Sequence, residues 1–193
     1  MAIKKVLKYG DPVLRQKATE VHKVSKKIQL LIDDLLDTMY SQNGVGLAAP
    51  QIGISQRIFV IDTSSSNETP RPMVFINPKI IKKAGAMISS EGCLSFPEAF
   101  TSVRRYSSVT IKALDRRGKP FIIEASDDEL LVKAIQHEND HLDGILFIDH
   151  SRNRFEADQI LSEKGLPPVD SSYLLEEEEL EAMILQSGNL ESK

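Results

Sequence analysis

Residues 126–144 read SDDELLVKAIQHENDHLDG, and the pattern of this stretch predicts a helix. Ser126, followed by Glu129 three residues later, has the capping-box pattern of a helix start. Gly144 is typical of the position just after a helix end. The apolar residues between them recur at helical spacing and would form one buried face, which comprises Leu130, Leu131, Ala134, Ile135 and Leu142.

This helix would carry two histidines, His137 and His141, on one face. Side chains four residues apart in a helix are neighbours, so both imidazoles can bind one metal ion. Glu138 is offset around the helix, where it can take a proton from a water molecule that the metal activates. A solvated helical face with the same letters is the alternative. Because the chain has only four histidines, the metal site is favoured.

A catalytic zinc-type site needs a third protein ligand and one open position. His22 and His150 are candidates, although single histidines are more often surface or hydrogen-bonded structural residues. Cys93 is favoured over both, because a thiolate is a strong ligand and Gly92 allows a close approach of the backbone. As the only cysteine it excludes an intrachain disulfide, which fits a reducing cytoplasm.

The rest of the chain predicts strands mostly before this helix, with one short strand, a further helix and an acidic end after it. A first helix is predicted from Ser25, its N-cap, to Ser41, and another over 153–164. Strands are predicted at 58–61, at 74–76 with an end at Asn77-Pro78, and at 108–114, 121–125 and 145–148. This order indicates an α+β fold without repeated βαβ units.

Size and charge limit the classes of function that the chain can have. Its 193 residues, 41% of them apolar and 27% charged, suit one catalytic domain, predicted at 1–165. Residues 166–193 are Glu-rich and predicted to be an acidic C-terminal extension, either helical or disordered. A net charge of −4 gives no case for specific nucleic-acid binding, and no apolar run is long enough to span a membrane. With no secretory signal at its start, the chain is expected to be cytoplasmic.

Three short motifs resemble those of the peptide deformylase family and occur in the same order. GVGLAAPQ at 44–51 matches G-x-G-x-A-A-x-Q, EGCLS at 91–95 matches E-G-C-x-S, and QHENDH at 136–141 matches Q-H-E-x-D-H. GDPVLR at 10–15 is also similar to the start of family members. The resemblance covers roughly residues 3–165, and three ordered motifs are far more specific than two spaced histidines.

The resemblance implies a fold and an activity. The fold would be a single domain with antiparallel sheets around the helix that carries the histidines. The activity would be removal of the formyl group from the N-terminal formyl-methionine of nascent polypeptides. The implied cofactor is one Fe²⁺ per chain, with Zn²⁺, Ni²⁺ or Co²⁺ able to substitute. Its ligands would be Cys93, His137 and His141.

The resemblance also implies roles for other residues. Glu138 would act as general base and then as proton donor to the departing amine. The side-chain amide of Gln51 and the backbone N–H of Leu94 would stabilise the oxyanion. Glu91 and Arg105 would pair behind the ligands. A slot for the methionine side chain would be lined by Val45, Gly46, Leu130, Ala134 and His137.

Phe100 is a departure, since some relatives carry an arginine a few residues after the cysteine motif. It is expected to contact the peptide beyond the methionine.

Other functions remain open at this level. A zinc endopeptidase would share the histidine motif, with a third ligand further along the chain. A non-catalytic binding protein of the same fold would not need Glu138 or Gln51. A closed structural metal site would be richer in cysteine.

The acidic end, with Glu176-Glu177-Glu178-Glu179, bears on contact with the ribosome. Any transient contact with the ribosome would not use these carboxylates, because the phosphates of ribosomal RNA repel them. Removal of the residues after Lys164 is expected to leave activity on short peptides nearly intact.

Overall fold

Seven strands form two antiparallel sheets in the part of the chain that this computed structural model describes, residues 2–65, 67–151, 154–170 and 172. The strands are, in chain order, β1 (Gly46–Ala48), β2 (Ile58–Ile61), β3 (Met73–Ala84), β4 (Met87–Cys93), β5 (Phe96–Arg105), β6 (Ser108–Leu114) and β7 (Pro120–Ala125). The larger sheet has the order β1-β2-β3-β6-β7, whereas β4 and β5 pair as a separate hairpin. β1 and β4 therefore have unpaired edges within the described residues.

Two of the three α-helices in the described residues cover opposite faces of the larger sheet. The helices are α1 (Lys26–Ser41), α2 (Glu129–Leu142) and α3 (Arg154–Glu163). Successive side chains of a strand point to opposite faces, so Ile58 and Val60 of β2 pack with α1. Phe59 and Ile61 of the same strand pack on the other face with α2. All four residues of β2 are consequently buried, which explains its unbroken apolar run.

The hairpin meets the face of α2 that carries the histidines, where Cys93 contacts His141 and Glu91 contacts His137. Phe96 of β5 stacks on Tyr9 and meets the edge of Phe147, which in turn lies 5.9 Å from the ring of His137. This third apolar cluster also contains Ala157 and Leu161 of α3. The predicted α+β domain with antiparallel sheets around the histidine-bearing helix is confirmed.

The helices and several strands agree with the sequence predictions, but the start of α2 differs. Its N-cap is Asp128, whose carboxylate accepts a hydrogen bond from the backbone N–H of Leu131 at 3.0 Å. The predicted cap, Ser126, instead donates to the side chain of Asp127. Ser25 is the N-cap of α1 as predicted, although its side chain makes no capping hydrogen bond.

Two predictions about strands are wrong. β3 does not end at Asn77-Pro78 but continues to Ala84, and a register irregularity between Ile76 and Lys79 accommodates the proline. The predicted strand at 145–148 is replaced by a 3-10 helix, Phe147–His150, with its apolar side chains in the third cluster. The hairpin of β4 and β5 was not predicted.

The end of the described chain packs against the third apolar cluster. Val169 is 3% exposed and joins the third cluster together with Leu166. The division at residue 165 stays a prediction, and residues 173–193 of the acidic extension lie outside the described residues. No helix in the described ranges has the length and apolar character needed to cross a lipid bilayer.

Candidate active site

Helix α2 holds two histidines side by side. His137 and His141 are 8% and 1% exposed, and their rings lie 5.0 Å apart. They share a face because they are separated by one helical turn. Val132, Ile135 and Leu142 anchor α2 to the larger sheet, which fixes the direction in which both imidazoles point.

Cys93 reaches the same place from the end of β4. Its Sγ lies 3.3 Å from Nε2 of His141, and the backbone N–H of Ser95 approaches Sγ at 3.4 Å. One ligand atom from each of Cys93, His137 and His141 falls within 4.8 Å of the others. We call these three residues the ligand cluster. One thiolate and two imidazoles are a donor set that suits a divalent transition metal.

A buried ion-pair network lies behind the ligand cluster. Glu91 accepts hydrogen bonds from Nε and Nη2 of Arg105 at 2.8 and 2.9 Å, and both side chains are 2% exposed. Nδ1 of His137 lies 2.9 Å from Glu91, which leaves Nε2 directed to the ligand cluster. Arg105 also binds Asp140, which contacts Nε2 of His150 at 2.8 Å. The network therefore fixes the orientation of the His137 ring.

Charges in this network shift the pKa values of its members. Burial would raise the pKa of Glu91, but Arg105 and the hydrogen bond with His137 hold it well below the ordinary value. Burial and the neighbouring His137 lower the pKa of His141 well below its ordinary value. The lowered pKa favours the neutral imidazole of His141, which is the form that binds a metal.

Glu138 lies beside the ligand cluster but is not part of it. It is 4% exposed, and its Oε2 atom is buried without a hydrogen-bond partner among the described residues. Its other oxygen packs against Gly46, where an added Cβ atom would collide with it. Burial raises the pKa of Glu138 to about 7. A carboxyl with this pKa can exchange a proton near neutral pH.

Gln51 presents its amide nitrogen to the ligand cluster. The Oε1 atom accepts a hydrogen bond from the backbone N–H of Ala48 at 2.8 Å, which turns Nε2 the other way. Nε2 then lies 3.3 Å from both Sγ of Cys93 and Oγ of Ser95. Leu94, between these two residues, packs on Gly44, where a Cβ atom would lie only 2.9 Å from its Cδ1.

A cavity of about 510 Å³ connects the ligand cluster to the surface. We call its buried part, at Cys93, His137 and Glu138, the inner end. Its sides include the residues predicted for the methionine slot, Val45, Gly46, Leu130 and Ala134. Its outer part, which we call the mouth, is lined by the exposed Lys8, Glu98 and Phe100 and by the half-buried Lys133. A cavity of this volume accommodates a short peptide end.

The remaining histidines lie away from the ligand cluster. His22 is exposed, and His150 belongs to the network of Asp140 and Arg105. Sequence reasoning assigned no role to Asp140 or Ser95, although both lie inside the quoted motifs. It also gave no role to Lys8 and Lys133, for which no local pattern gives a signal.

Comparisons with known proteins agree with the geometry. A sequence model of the polypeptide deformylase family matches residues 3–156. A peptide deformylase of Pseudoalteromonas translucida is 50% identical over 150 residues, which cover 78% of this chain and 87% of that protein. One from Thermodesulfovibrio yellowstonii is 48% identical over 149 residues, covering 77% and 89%.

Solved structures give the same result. A peptide deformylase from Synechococcus elongatus, in complex with actinonin, aligns with a TM-score of 0.82 at 39% identity and covers 89% of this chain and 91% of that chain. One from Legionella pneumophila aligns with a TM-score of 0.77 at 43% identity, covering 85% and 96%.

Proposed function

The chain belongs to the peptide deformylase family, and from this we propose how its cavity removes the formyl group from the N-terminal methionine of nascent polypeptides. One observation carries the proposal. Three ligand atoms of Cys93, His137 and His141 meet within 4.8 Å beside the buried carboxyl of Glu138, at the inner end of a cavity.

The ligand cluster fits the metal on which the family depends. We assign Sγ of Cys93 and a nitrogen of each histidine as ligands, and the contact of His137 with Glu91 supports Nε2 as its donor. When bound, a divalent cation would polarise the formyl oxygen and activate a water molecule. Oε2 of Glu138 is buried with no hydrogen-bond partner among the described residues, which supports a water molecule bound beside the metal, because a buried polar atom needs a partner.

Ferrous iron is proposed as the native ion, with zinc, nickel and cobalt as substitutes. The donor types alone accept both zinc and iron, and the family resemblance favours iron. Iron promotes oxidation of the thiolate beside it, so the activity of the iron form should decay in air. The activity of nickel- or cobalt-loaded protein should persist. Protein isolated with zinc that is air-stable and as fast as the iron form would contradict this assignment.

Glu138 is proposed to move the protons. Its carboxylate would accept a proton from the attacking water and then deliver one to the departing amine. Three features support this role, namely its burial, its pKa of about 7 and its position beside His137 at the inner end of the cavity. The close packing of Gly46 supports it as well, because only a glycine leaves room for the carboxyl there.

Gln51 and Leu94 are proposed to stabilise the negative charge that develops on the formyl oxygen. Donors held in place before the reaction lower its barrier without having to reorganise. The Ala48 N–H holds the amide of Gln51 with Nε2 facing Cys93, which supports this role. The backbone N–H of Leu94 is the second proposed donor, and its support is the family motif.

The methionine side chain is proposed to occupy the slot beside Val45, Leu130 and Ala134. An unbranched thioether is recognised mainly by packing against apolar walls. The substrate backbone would lie between the edges of β1 and β4, which both border the cavity and are not paired with another described strand. Phe100, 61% exposed at the mouth, would then contact the residues after the methionine.

Formate release separates this function from its alternatives. Protein purified without oxygen should release formate from formyl-Met peptides and leave internal peptide bonds intact. Internal cleavage without formate release would identify an endopeptidase. Binding of formylated peptides with no formate from any metal-loaded form would identify a binding protein.

Two finer points about the setting of the reaction are also proposals. The enzyme would work in the cytoplasm, where a free thiolate ligand such as Cys93 is kept reduced. It would contact the ribosome only transiently, since its substrates are nascent chains. This contact would not use the carboxylates of the acidic extension, which ribosomal phosphates repel.

A further inference from the structure

The mouth of the cavity carries positive charge that the ligand cluster does not require. Lys8 comes from the N-terminal segment and Lys133 from α2, and both line the cavity. The ammonium group of Lys8 is held there, because it donates a hydrogen bond to the carbonyl oxygen of Leu94 at 3.0 Å. Lys133 lies one helical turn before His137, so it is on the same side of α2 as the ligand cluster.

The acidic residues of the cavity do not neutralise these lysines. Glu91 is paired with Arg105, and Glu98 is paired with Lys164 at 3.0 Å. Glu138 is buried at the inner end. Within the described ranges, neither lysine forms an ion pair, and this includes Lys133 with Glu129 one turn earlier.

From this charge distribution we infer that the enzyme prefers formylated chains with an acidic side chain among the residues that follow the methionine. The inference rests on the proposed function, because it assumes that the formyl group lies at the inner end and that the methionine side chain occupies its slot. The rest of the chain must then leave through the mouth, past Lys8, Phe100 and Lys133. A positive mouth is a local feature, because the whole chain has a net charge of −4.

The expected preference is modest because the mouth is exposed to solvent. Two unit charges about 6 Å apart in water interact strongly enough to change a rate constant roughly threefold. Two lysines together should therefore give an acidic peptide an advantage of roughly three- to tenfold in kcat/KM. Salt should reduce this advantage, because the Debye length falls to about 3 Å at 1 M ionic strength.

Paired peptide substrates test the inference. Formyl-Met-Asp-Ala-amide and formyl-Met-Asn-Ala-amide differ by one charge, as do the peptides with Asp or Asn at the third position. Formate release should give an Asp/Asn ratio of kcat/KM of roughly three to ten at one of these positions at low salt, and near one in molar salt. Lys133→Gln should lower the ratio, and combination with Lys8→Gln should bring it to about one.

Two controls separate charge from structure. Lys8→Arg keeps the charge and should keep the Asp/Asn ratio. A changed contact with Leu94 would slow formate release from both peptides alike and leave their ratio the same. The double variant Lys82→Gln/Lys112→Gln removes two exposed lysines that lie outside the cavity. It should also leave the Asp/Asn ratio unchanged. A wild-type ratio of one or less at both positions, or a ratio that survives in the double variant Lys8→Gln/Lys133→Gln, would overturn the inference. A lack of formate from every peptide would instead overturn the proposed function.

Discussion

At the inner end of the cavity the ionised groups are buried and interlocked, whereas at the mouth they are exposed or half-buried and make few contacts. The two glutamate pairs illustrate this contrast. Glu91 and Arg105 are both 2% exposed and share two hydrogen bonds, whereas the side chain of Glu98 is 83% exposed and makes one contact with Lys164. Precise positions are needed where bonds are made and broken, and the mouth only has to admit many different chains.

The contrast predicts its largest effect for Glu138, whose burial at the inner end defines its role. Glu138→Gln keeps the shape of the side chain but removes the group that exchanges protons. Deformylation of formyl-Met peptides should fall about 10²- to 10⁴-fold in kcat. A variant that retains more than a tenth of the wild-type kcat would exclude Glu138 as the proton carrier.

The two glutamate pairs can be compared directly. Glu91→Gln leaves Arg105 buried without its full counter-charge and frees the ring of His137. We expect about 10- to 100-fold weaker metal binding and a loss of about 3–5 kcal/mol in the free energy of unfolding. Chelator competition and chemical denaturation measure the two quantities.

Glu98→Gln is the matched control for the free energy of unfolding. Its exposed pair should contribute no more than about 1 kcal/mol. Equal losses of stability in the two variants would remove the distinction between the inner end and the mouth.

The slot for the methionine lies between these two regions and should show an intermediate effect. Ala134→Phe would fill space beside Leu130 while leaving the ligand cluster in place. KM for formyl-Met peptides should rise about tenfold with unchanged metal content. The exposed Ala86, outside the cavity, offers a matched Ala86→Phe control. Unchanged kinetics in Ala134→Phe would put the slot elsewhere.

The acidic extension should have the smallest effect on the reaction. A truncation after Ser172 keeps Leu166 and Val169, which pack against the third cluster. It should change kcat/KM for short peptides less than about twofold, since no proposed site residue lies beyond it. Cosedimentation at low salt should show no stronger ribosome binding by the full-length protein than by the truncated one. Clearly stronger binding by the full-length protein would contradict the charge argument.

The same contrast explains which parts of the site could be predicted from the sequence. The inner end could be predicted, because proton transfer and metal binding restrict the residue types, as at Cys93, His137 and Glu138. The mouth could not be predicted, because Lys8 and Lys133 are far apart in the chain and the fold alone brings them to one cavity. Phe100 was noticed only because it departs from the family pattern.

The fold was predictable where apolar periodicity was intact. The hairpin of β4 and β5 was missed because its buried positions include polar residues such as Ser89, Glu91, Thr101 and Arg105. The apolar alternation that identifies a strand is therefore absent there. The run at 145–148 misled for the opposite reason, since four consecutive apolar residues, three of them buried, fit a strand or a helical turn equally well.

Metal content of two variants purified without oxygen tests the central claim most directly. His141 is assigned as a ligand, and Glu138 as a proton carrier that does not bind the metal. Wild-type protein and Glu138→Gln should therefore each hold about one iron per chain, while folded His141→Ala should hold almost none. Full metal content and activity in His141→Ala, or loss of the metal from Glu138→Gln, would contradict the account.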